Sequence, residues 1–237
     1  MTKESKKRVA LIVPAYNEAR VIADVVRDLD VVFSKSRYDY AIIIVDDGSR
    51  DATASEAKTA GAVVIKHILN SGAGSATATG LSYAQQQGFD IATTSDGDGQ
   101  HYAEDVLKGV NILVKKEADL LIGSRLINSK GMSRVKIIGN KGLSFITSVL
   151  FGIQVTDSQS GLRIFSRKAL ESLRWKTSGY EFCSEMLWRA NQIGLKIDEY
   201  PIKVIYSEYS KAKGQNNWNG INIVKSLIKR RVAEMFE

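Results

Sequence analysis

Cysteine is nearly absent: Cys183 is the only one in 237 residues. An intramolecular disulfide framework is therefore excluded, and so is a cysteine-rich zinc site. Long apolar runs are missing too. No stretch approaches the roughly 18 uncharged apolar residues that a spanning helix needs. The basic start, MTKESKKRVALIVPAYNEA, has no signal-peptide core, because its apolar run at 9–13 stops at Pro14. Nor is there a helix-turn-helix, an RNA-binding sheet signature or a zinc spacing, so no nucleic-acid partner is expected. These absences fit a chain working in a reducing cytosol.

What is present is enough apolar residue, 44%, for one large domain. The net charge of +7 permits anionic partners such as nucleotides or lipid phosphates, and it also serves plain solubility. Part of it is concentrated in VKSLIKRR, 224–231.

Apolar runs alternate with helical spacing through the first half. Strands are expected at RVALIVPA (8–15), YAIIIVDDGS (40–49), AVVIKH (62–67), FDIATTSD (89–96) and ADLLIGS (118–124). Helical patterns lie between them. This order predicts an open, mainly parallel α/β sheet flanked by helices. Such sheets bind ligands at the carboxyl ends of their strands. Further on come a basic then amphipathic stretch at 129–152, a loop with short strands at 155–170, a helix at 180–194 and a late strand at 195–209. We read residues 1–210 as one domain and 211–237 as a basic loop with an amphipathic C-terminal helix.

Polar and ionisable residues collect at one edge. The five strands run into Pro14-Ala15-Tyr16-Asn17-Glu18, Asp46-Asp47-Gly48-Ser49, NSGAGSA, Asp96-Gly97-Asp98-Gly99-Gln100 and Gly123-Ser124-Arg125. One such loop is ordinary turn chemistry; five in line are not. Asp96 and Asp98, with the amide of Gln100, suit a hard cation that also holds phosphate oxygens, so Mg²⁺ or Mn²⁺ is expected. Of Asp46 and Asp47, one could take a base or ribose hydroxyl and the other cap the next helix, as Ser49 or Asp51 also could, and Tyr16 could lie against a nucleobase or simply pack. The NSGAGSATATG stretch lacks both G-K-S/T and G-x-G-x-x-G.

VPAYNEA, VDDGSRDAT, N-x-G-x-G, DGDGQH, GSR and TDSQSGLRIF occur in this order, between about Val9 and Tyr206. Together they resemble an inverting glycosyltransferase of family 2 with the GT-A (Rossmann-like) fold, and more closely the dolichyl- and polyprenyl-phosphate mannose or glucose synthases. The resemblance implies a nucleotide-sugar donor (GDP-mannose or UDP-glucose), a divalent cation, a polyprenyl phosphate acceptor and inversion at the anomeric carbon. Carried over by position, Pro14, Ala15, Tyr16, Glu18, Asp46 and Asp96 would hold the nucleotide sugar. Asp96, Asp98 and Gln100 would hold the metal. Asp98, Arg125 and Arg163 would be catalytic, with Arg125 and Arg163 facing phosphate. Lys211 and Lys213 are further phosphate candidates, or members of a solvated loop. The chain departs from the pattern at Ala73 and Ala78, where relatives commonly carry Lys and Arg.

A phosphate acceptor is already an anion, so no strong general base is needed, and His101 is read as orienting or structural. A glycan or other soluble acceptor would instead require a carboxylate base, for which Asp157 or Glu185 could serve. A non-catalytic nucleotide-sugar or nucleic-acid binding protein is the remaining alternative. A lipid acceptor implies peripheral contact at the cytoplasmic face of a membrane. In the terminal helix Ile221, Val224, Leu227 and Ile228 share one side, flanked by Lys225, Lys229, Arg230 and Arg231. That helix, or the stretch 135–153, could lie in an anionic interface or pack on the core.

Overall fold

A computed structural model of the chain describes residues 6–129 and 132–205. Its centre is a seven-stranded sheet of β1 (Arg8–Ala15), β2 (Asp39–Asp46), β3 (Val63–Lys66), β4 (Ile91–Thr94), β5 (Leu120–Ser124), β6 (Arg163–Ser166) and β7 (Ile197–Pro201), in the order β3-β2-β1-β4-β6-β5-β7. Neighbours β3, β2, β1 and β4 are parallel, and β7 is parallel to β5. Only β6 runs the other way, antiparallel to both β4 and β5. The five expected strands of the first half all form. What periodicity did not reveal is that the strand within TDSQSGLRIFSRKAL inserts between β4 and β5.

Side chains alternate across this sheet as a strand period of two requires. Val9, Leu11, Val13, Ile42 and Ile44 pack on one face, beneath α1 (Ile22–Phe33), α2 (Thr53–Thr59) and α4 (Ala103–Lys116). Ala10, Ile12, Ile43 and Val45 pack on the other, with α3 (Ala73–Gln86), the end of α5 (Arg134–Phe151), α6 (Arg167–Ser172) and α7 (Phe182–Gln192). Burial on both faces is why β1 and β2 read as continuous apolar runs. The expected boundary at residue 210 and the C-terminal helix lie outside the described residues. No helix among the described residues is long and apolar enough to cross a membrane.

Close approach of α3 to the sheet fixes where its N-terminal loop sits. A Cβ at Gly80 would lie 2.3 Å from Cγ2 of Ile12 and 3.3 Å from Cγ2 of Val45. Both neighbours are buried and have nowhere to move. Gly80→Ala therefore costs about 1–3 kcal/mol by overpacking, despite the better helix propensity of alanine. Urea unfolding followed by circular dichroism measures this; an unchanged midpoint would mean that α3 and β1 are less tightly apposed than described.

Candidate active site

The DGDGQH turn begins two residues after β4. Ser95 N–H donates to Ile12 O, which ties the turn to β1. A Cβ at Gly97 would lie 3.0 Å from Pro14 O and 3.2 Å from Cβ of Ala15. The acidic turn and the end of VPAYNEA are thus in contact, as the edge pattern required.

Asp96 is the open carboxylate of the pair, with 51% of its side chain exposed, although protein crowds its other sides. His101 Nε2 lies 3.0 Å from its Oδ2, and the His101 ring is itself enclosed. Nδ1 of His101 has no hydrogen-bond partner among the described residues. Crowding opposes ionisation of Asp96. The hydrogen bond and charge of His101, with Arg125 and Arg163 in electrostatic reach, outweigh it and hold this carboxyl below its ordinary value. Asp98 is in the opposite condition. Burial, then the negative charge of Asp96, push its pKa up to about 6. Gln100 donates to it twice, from N to Oδ1 at 3.1 Å and from Nε2 to Oδ2 at 2.5 Å.

Behind Asp96 lies the TDSQSGLRIF segment. A Cβ at Gly161 would fall 2.2 Å from Oδ1 and 2.7 Å from Oδ2 of Asp96, so only glycine leaves room for that carboxylate. Thr94 Oγ1 donates to Gly161 O and fixes the approach. The two arginines of the expected phosphate clamp have different surroundings. Arg125 is gripped by Asp157 through a fork: Nε to Oδ2 and Nη2 to Oδ1, both 2.7 Å, with its backbone N–H also on Oδ2. Burial opposes the charge of Arg125, but Asp157 and then Asp96 raise its pKa above the ordinary arginine value. A part of its side chain, 16%, remains open. Arg163 is enclosed. It starts β6, paired to Thr94 and Ile122, and is 1% exposed. Its guanidinium donates to Ser160 O, Ser158 O, Cys183 O and Met186 Sδ. Those acceptors, not a ligand, fill its donor fork.

On the other side of the turn Glu18 is buried and Tyr16 is 38% exposed. Asp46 is wholly buried; its Oδ1 accepts the Ser49 N–H, and among the described residues its Oδ2 makes no hydrogen bond and has Lys66 Nζ at 3.8 Å. Asp47 neither caps a helix nor faces the opening. Its oxygens accept N–H groups from Ser71 and Gly72 and meet His67 Nδ1 at 2.8 Å, which fixes the loop before α3. Asp51 does precede α2 as a cap-like acceptor, at Thr53 N. Ala73, at the start of that α3, puts no basic side chain on the loop.

The carboxylates considered as bases are both engaged. Asp157 holds Arg125, while Glu185 is buried and accepts from Lys176 N, Thr177 N and Thr177 Oγ1. Sequence reasoning missed Gly161, His67 as the partner of Asp47, and Tyr180. Tyr180 is 48% exposed, and its phenol pKa is raised by burial first, then by Asp96, with Cys183, Asp98 and Glu18 contributing, so it lies in electrostatic reach of the acidic turn. Only Gly161 carried a local signal, as a glycine beside a β strand (S-G-L-R). Lys211 and Lys213 lie outside the described residues.

Do these residues suit a divalent cation? Among the described residues no group of three or more His, Cys, Asp or Glu side chains is arranged for one. Two carboxylates are present, one open and one that resists ionising beside it. That set fits Mg²⁺ or Mn²⁺, which take one or two carboxylates and complete their shell with phosphate oxygens and water.

The sheet with its single reversed strand, the helices on both faces and the acidic turn at the strand ends define a GT-A glycosyltransferase. Residues 10–174 match the family model "Glycosyl transferase family 2", and the chain belongs to that family. It is 42% identical over 253 residues to the UDP-N-acetylglucosamine–dolichyl-phosphate N-acetylglucosaminyltransferase of Methanococcus voltae, covering 98% of this chain and 99% of that protein. It is 28% identical over 218 residues to an undecaprenyl-phosphate mannosyltransferase of Micrococcus luteus, covering 87% of each. Among solved structures, glucosyl-3-phosphoglycerate synthase of Mycobacterium tuberculosis in complex with Mn²⁺, UDP-glucose and phosphoglyceric acid superposes with a TM-score of 0.69 at 21% identity, covering 93% of this chain and 79% of that one.

The raised pKa of Asp98 has a testable sign. Between its ordinary value of 3.8 and about 6 the folded chain keeps a proton that the unfolded chain has lost. Without metal, this group therefore removes stability as pH rises through that window. Asp98→Asn abolishes the effect, so in EDTA the variant gains melting temperature relative to the parent on going from pH 4.5 to pH 7. A cation prefers the ionised form, so Mn²⁺ binding to the parent weakens by about tenfold per pH unit below 6. Calorimetry checks it; pH-independent Mn²⁺ binding across that range would contradict the assignment.

Proposed function

We propose that this enzyme transfers one sugar from a nucleotide sugar to a polyprenyl phosphate. The observation carrying the proposal is the commitment of Asp157 to Arg125 beside the acidic turn. Of the two carboxylates considered as bases, Asp157 is instead clamping a cation. That suits an acceptor that arrives as an anion and needs charge compensation, not a base. A glycan or other soluble acceptor would need Asp157 or Glu185 in a role that neither is free to take. Full-length likeness to the Methanococcus voltae transferase supports the lipid phosphate. It also makes UDP-N-acetylglucosamine the first donor to assay, ahead of GDP-mannose and UDP-glucose.

On this reading Tyr16 and Glu18 flank the nucleoside, with Asp46 buried behind them. Asp96 and Asp98 hold the cation, with Gln100 steadying Asp98. Mg²⁺ or Mn²⁺, when bound, supplies positive charge to the leaving diphosphate. Arg125 draws the acceptor phosphate toward the donor and lowers the repulsion between two anions, which is large in a poorly solvated site. Asp157 keeps the guanidinium aimed. Arg163 supports from below by binding the carbonyls of the 158–160 segment and of α7. The phosphate-facing role thus falls to Arg125 alone. Contact with a membrane follows from such an acceptor.

Radiolabelled donors offered with polyprenyl phosphate and Mn²⁺ should place label in the organic phase. Label that stays water-soluble with every donor would sink the proposal. Arg125→Ala should cut kcat by about 10²–10³ with little change in donor affinity. Arg125→Lys should recover part of it, since charge returns without the planar fork. Arg163→Ala should lose on the order of 3 kcal/mol or more of stability, because several buried carbonyls lose their donor, and Arg125→Ala should also destabilise by leaving Asp157 buried without its cation; kcat of the folded protein, not stability, separates the two. A stable Arg163→Ala protein with impaired transfer alone would return that arginine to the phosphate.

A further inference from the structure

Edge strand β7 carries a carboxylate on its core side. Strand alternation puts Glu199 on the same face as Ile197, which packs with α7 and the end of α5, while Tyr200 is buried on the opposite face. A charge on an edge strand commonly serves only to discourage pairing with another chain, and then points into water. Glu199 is instead half-buried, and both of its oxygens are taken. Oε2 accepts the Thr156 N–H at 2.8 Å. Oε1 accepts the Thr156 hydroxyl at 3.0 Å and the Asp157 N–H at 3.2 Å.

These donors belong to the loop that grips Arg125. Asp157 is wholly buried, and its carboxylate accepts Nε, Nη2 and the backbone N–H of Arg125. The Thr156 hydroxyl also lies 2.6 Å from Ser124 Oγ, and Ser124 Oγ accepts the N–H groups of Leu126 and Ile127. The loop after β5, which carries Arg125, and the loop before β6, which carries Asp157, thus converge on one side chain. Register explains how it reaches both: Glu199 pairs with Ile122, on the strand that leads into Arg125. The rest of the 156–161 segment is fastened elsewhere, with Ser158 N–H on Ser144 Oγ, Ser160 Oγ on Gly123 O, and Gly161 O on Thr94 Oγ1. Arg163 leans on that part, through the carbonyls of Ser158 and Ser160. Losing Glu199 would loosen Asp157 and Arg125 and leave Arg163 in place. We propose that Glu199 is a positioning residue for Arg125: it fixes residues 156–157 so that Asp157 presents the guanidinium in one plane. The proposal rests on the phosphate-facing reading of Arg125 above for its effect on transfer.

The first test needs no substrate. The Nε–H signals of Arg125 and Arg163 are followed by proton–nitrogen NMR of the full chain, each identified by its loss on Arg125→Lys or Arg163→Lys. In Glu199→Ala the Arg125 signal should move and exchange with solvent at least about tenfold faster, while the Arg163 signal stays. Glu199→Gln keeps the side-chain volume but offers one acceptor oxygen in place of two, and should fall between parent and Glu199→Ala. The second test is transfer. Glu199→Ala should lower kcat by roughly tenfold to a hundredfold with the donor KM unchanged. Made in an Arg125→Ala background, it should cost nothing further, because a residue acting through Arg125 has nothing left to position. Three results overturn the proposal: an Arg125 signal unchanged in Glu199→Ala; Arg125 and Arg163 signals disturbed alike, which would make Glu199 a general support of the segment; or a loss of kcat as large in the Arg125→Ala background as in the parent. A parent that transfers nothing to polyprenyl phosphate would defeat the catalytic reading instead, and the NMR comparison would still decide the role of Glu199.

Discussion

The carboxylate of Asp96 can stand where it does only because residue 161 has no side chain. With a Cβ at Gly161 2.2 Å from Oδ1, any other residue would evict the acid or displace the strand behind it. Much of the site follows from that apposition. It requires the 156–161 segment to pass directly behind the acidic turn, which happens because β6 enters the sheet reversed, with Arg163 opposite Thr94. A parallel strand in that position would begin at the far edge of the sheet and bring its C-terminal end here. The reversed strand instead delivers its leading loop, and with it Asp157 and the carbonyls that Arg163 holds.

Charge balance explains the rest of the crowding. Two carboxylates one residue apart repel, and the fold leaves one ionised at the other's expense. His101, Arg125 and Arg163 favour the charge of Asp96, while Asp98 carries the penalty. Arg125 is in turn balanced by Asp157, so the arginine is neutralised on its inner side and can offer only its remaining charge outward. A buried ion pair of this kind adds little to stability in itself. Its value here is geometric: a bidentate fork fixes the plane of the guanidinium, which a single contact would not.

Much of this was legible in the amino-acid order. Apolar runs at 8–15 and 40–49 identified strands, and the polar residues that follow them identified the ligand edge. Asp96, Asp98 and Arg125 came together as those runs implied. Local pattern could not separate Arg125 from Arg163, since both are arginines in the expected places and burial is a property of the tertiary arrangement. Only the reversal of β6, set by partners far away in the chain, decides that one keeps an opening and the other is enclosed. The same limit hid Asp47. An Asp-Asp pair after a strand looks like two ligand contacts, yet one of the two carboxylates turns away to accept the N–H groups of Ser71 and Gly72.

The sheet is thereby divided at β6. On one side, β1 to β4 are parallel and end in the loops that carry Tyr16, Asp46 and the acidic turn, the parts suited to a nucleotide sugar. On the other, β5 and the loop before β6 carry Arg125 and Asp157, the parts suited to a second anion, and α5 covers that loop from outside. Helix α5 touches that loop with the hydroxyl of Ser144, which binds Ser158, and touches α7 with that of Thr147, which binds Ser184. The two halves of the sheet meet at the seam between Asp96 and Arg125, where the charge of the arginine favours the ionised carboxylate, so two anions arriving from the two sides would be brought together across the groups that offset their charge.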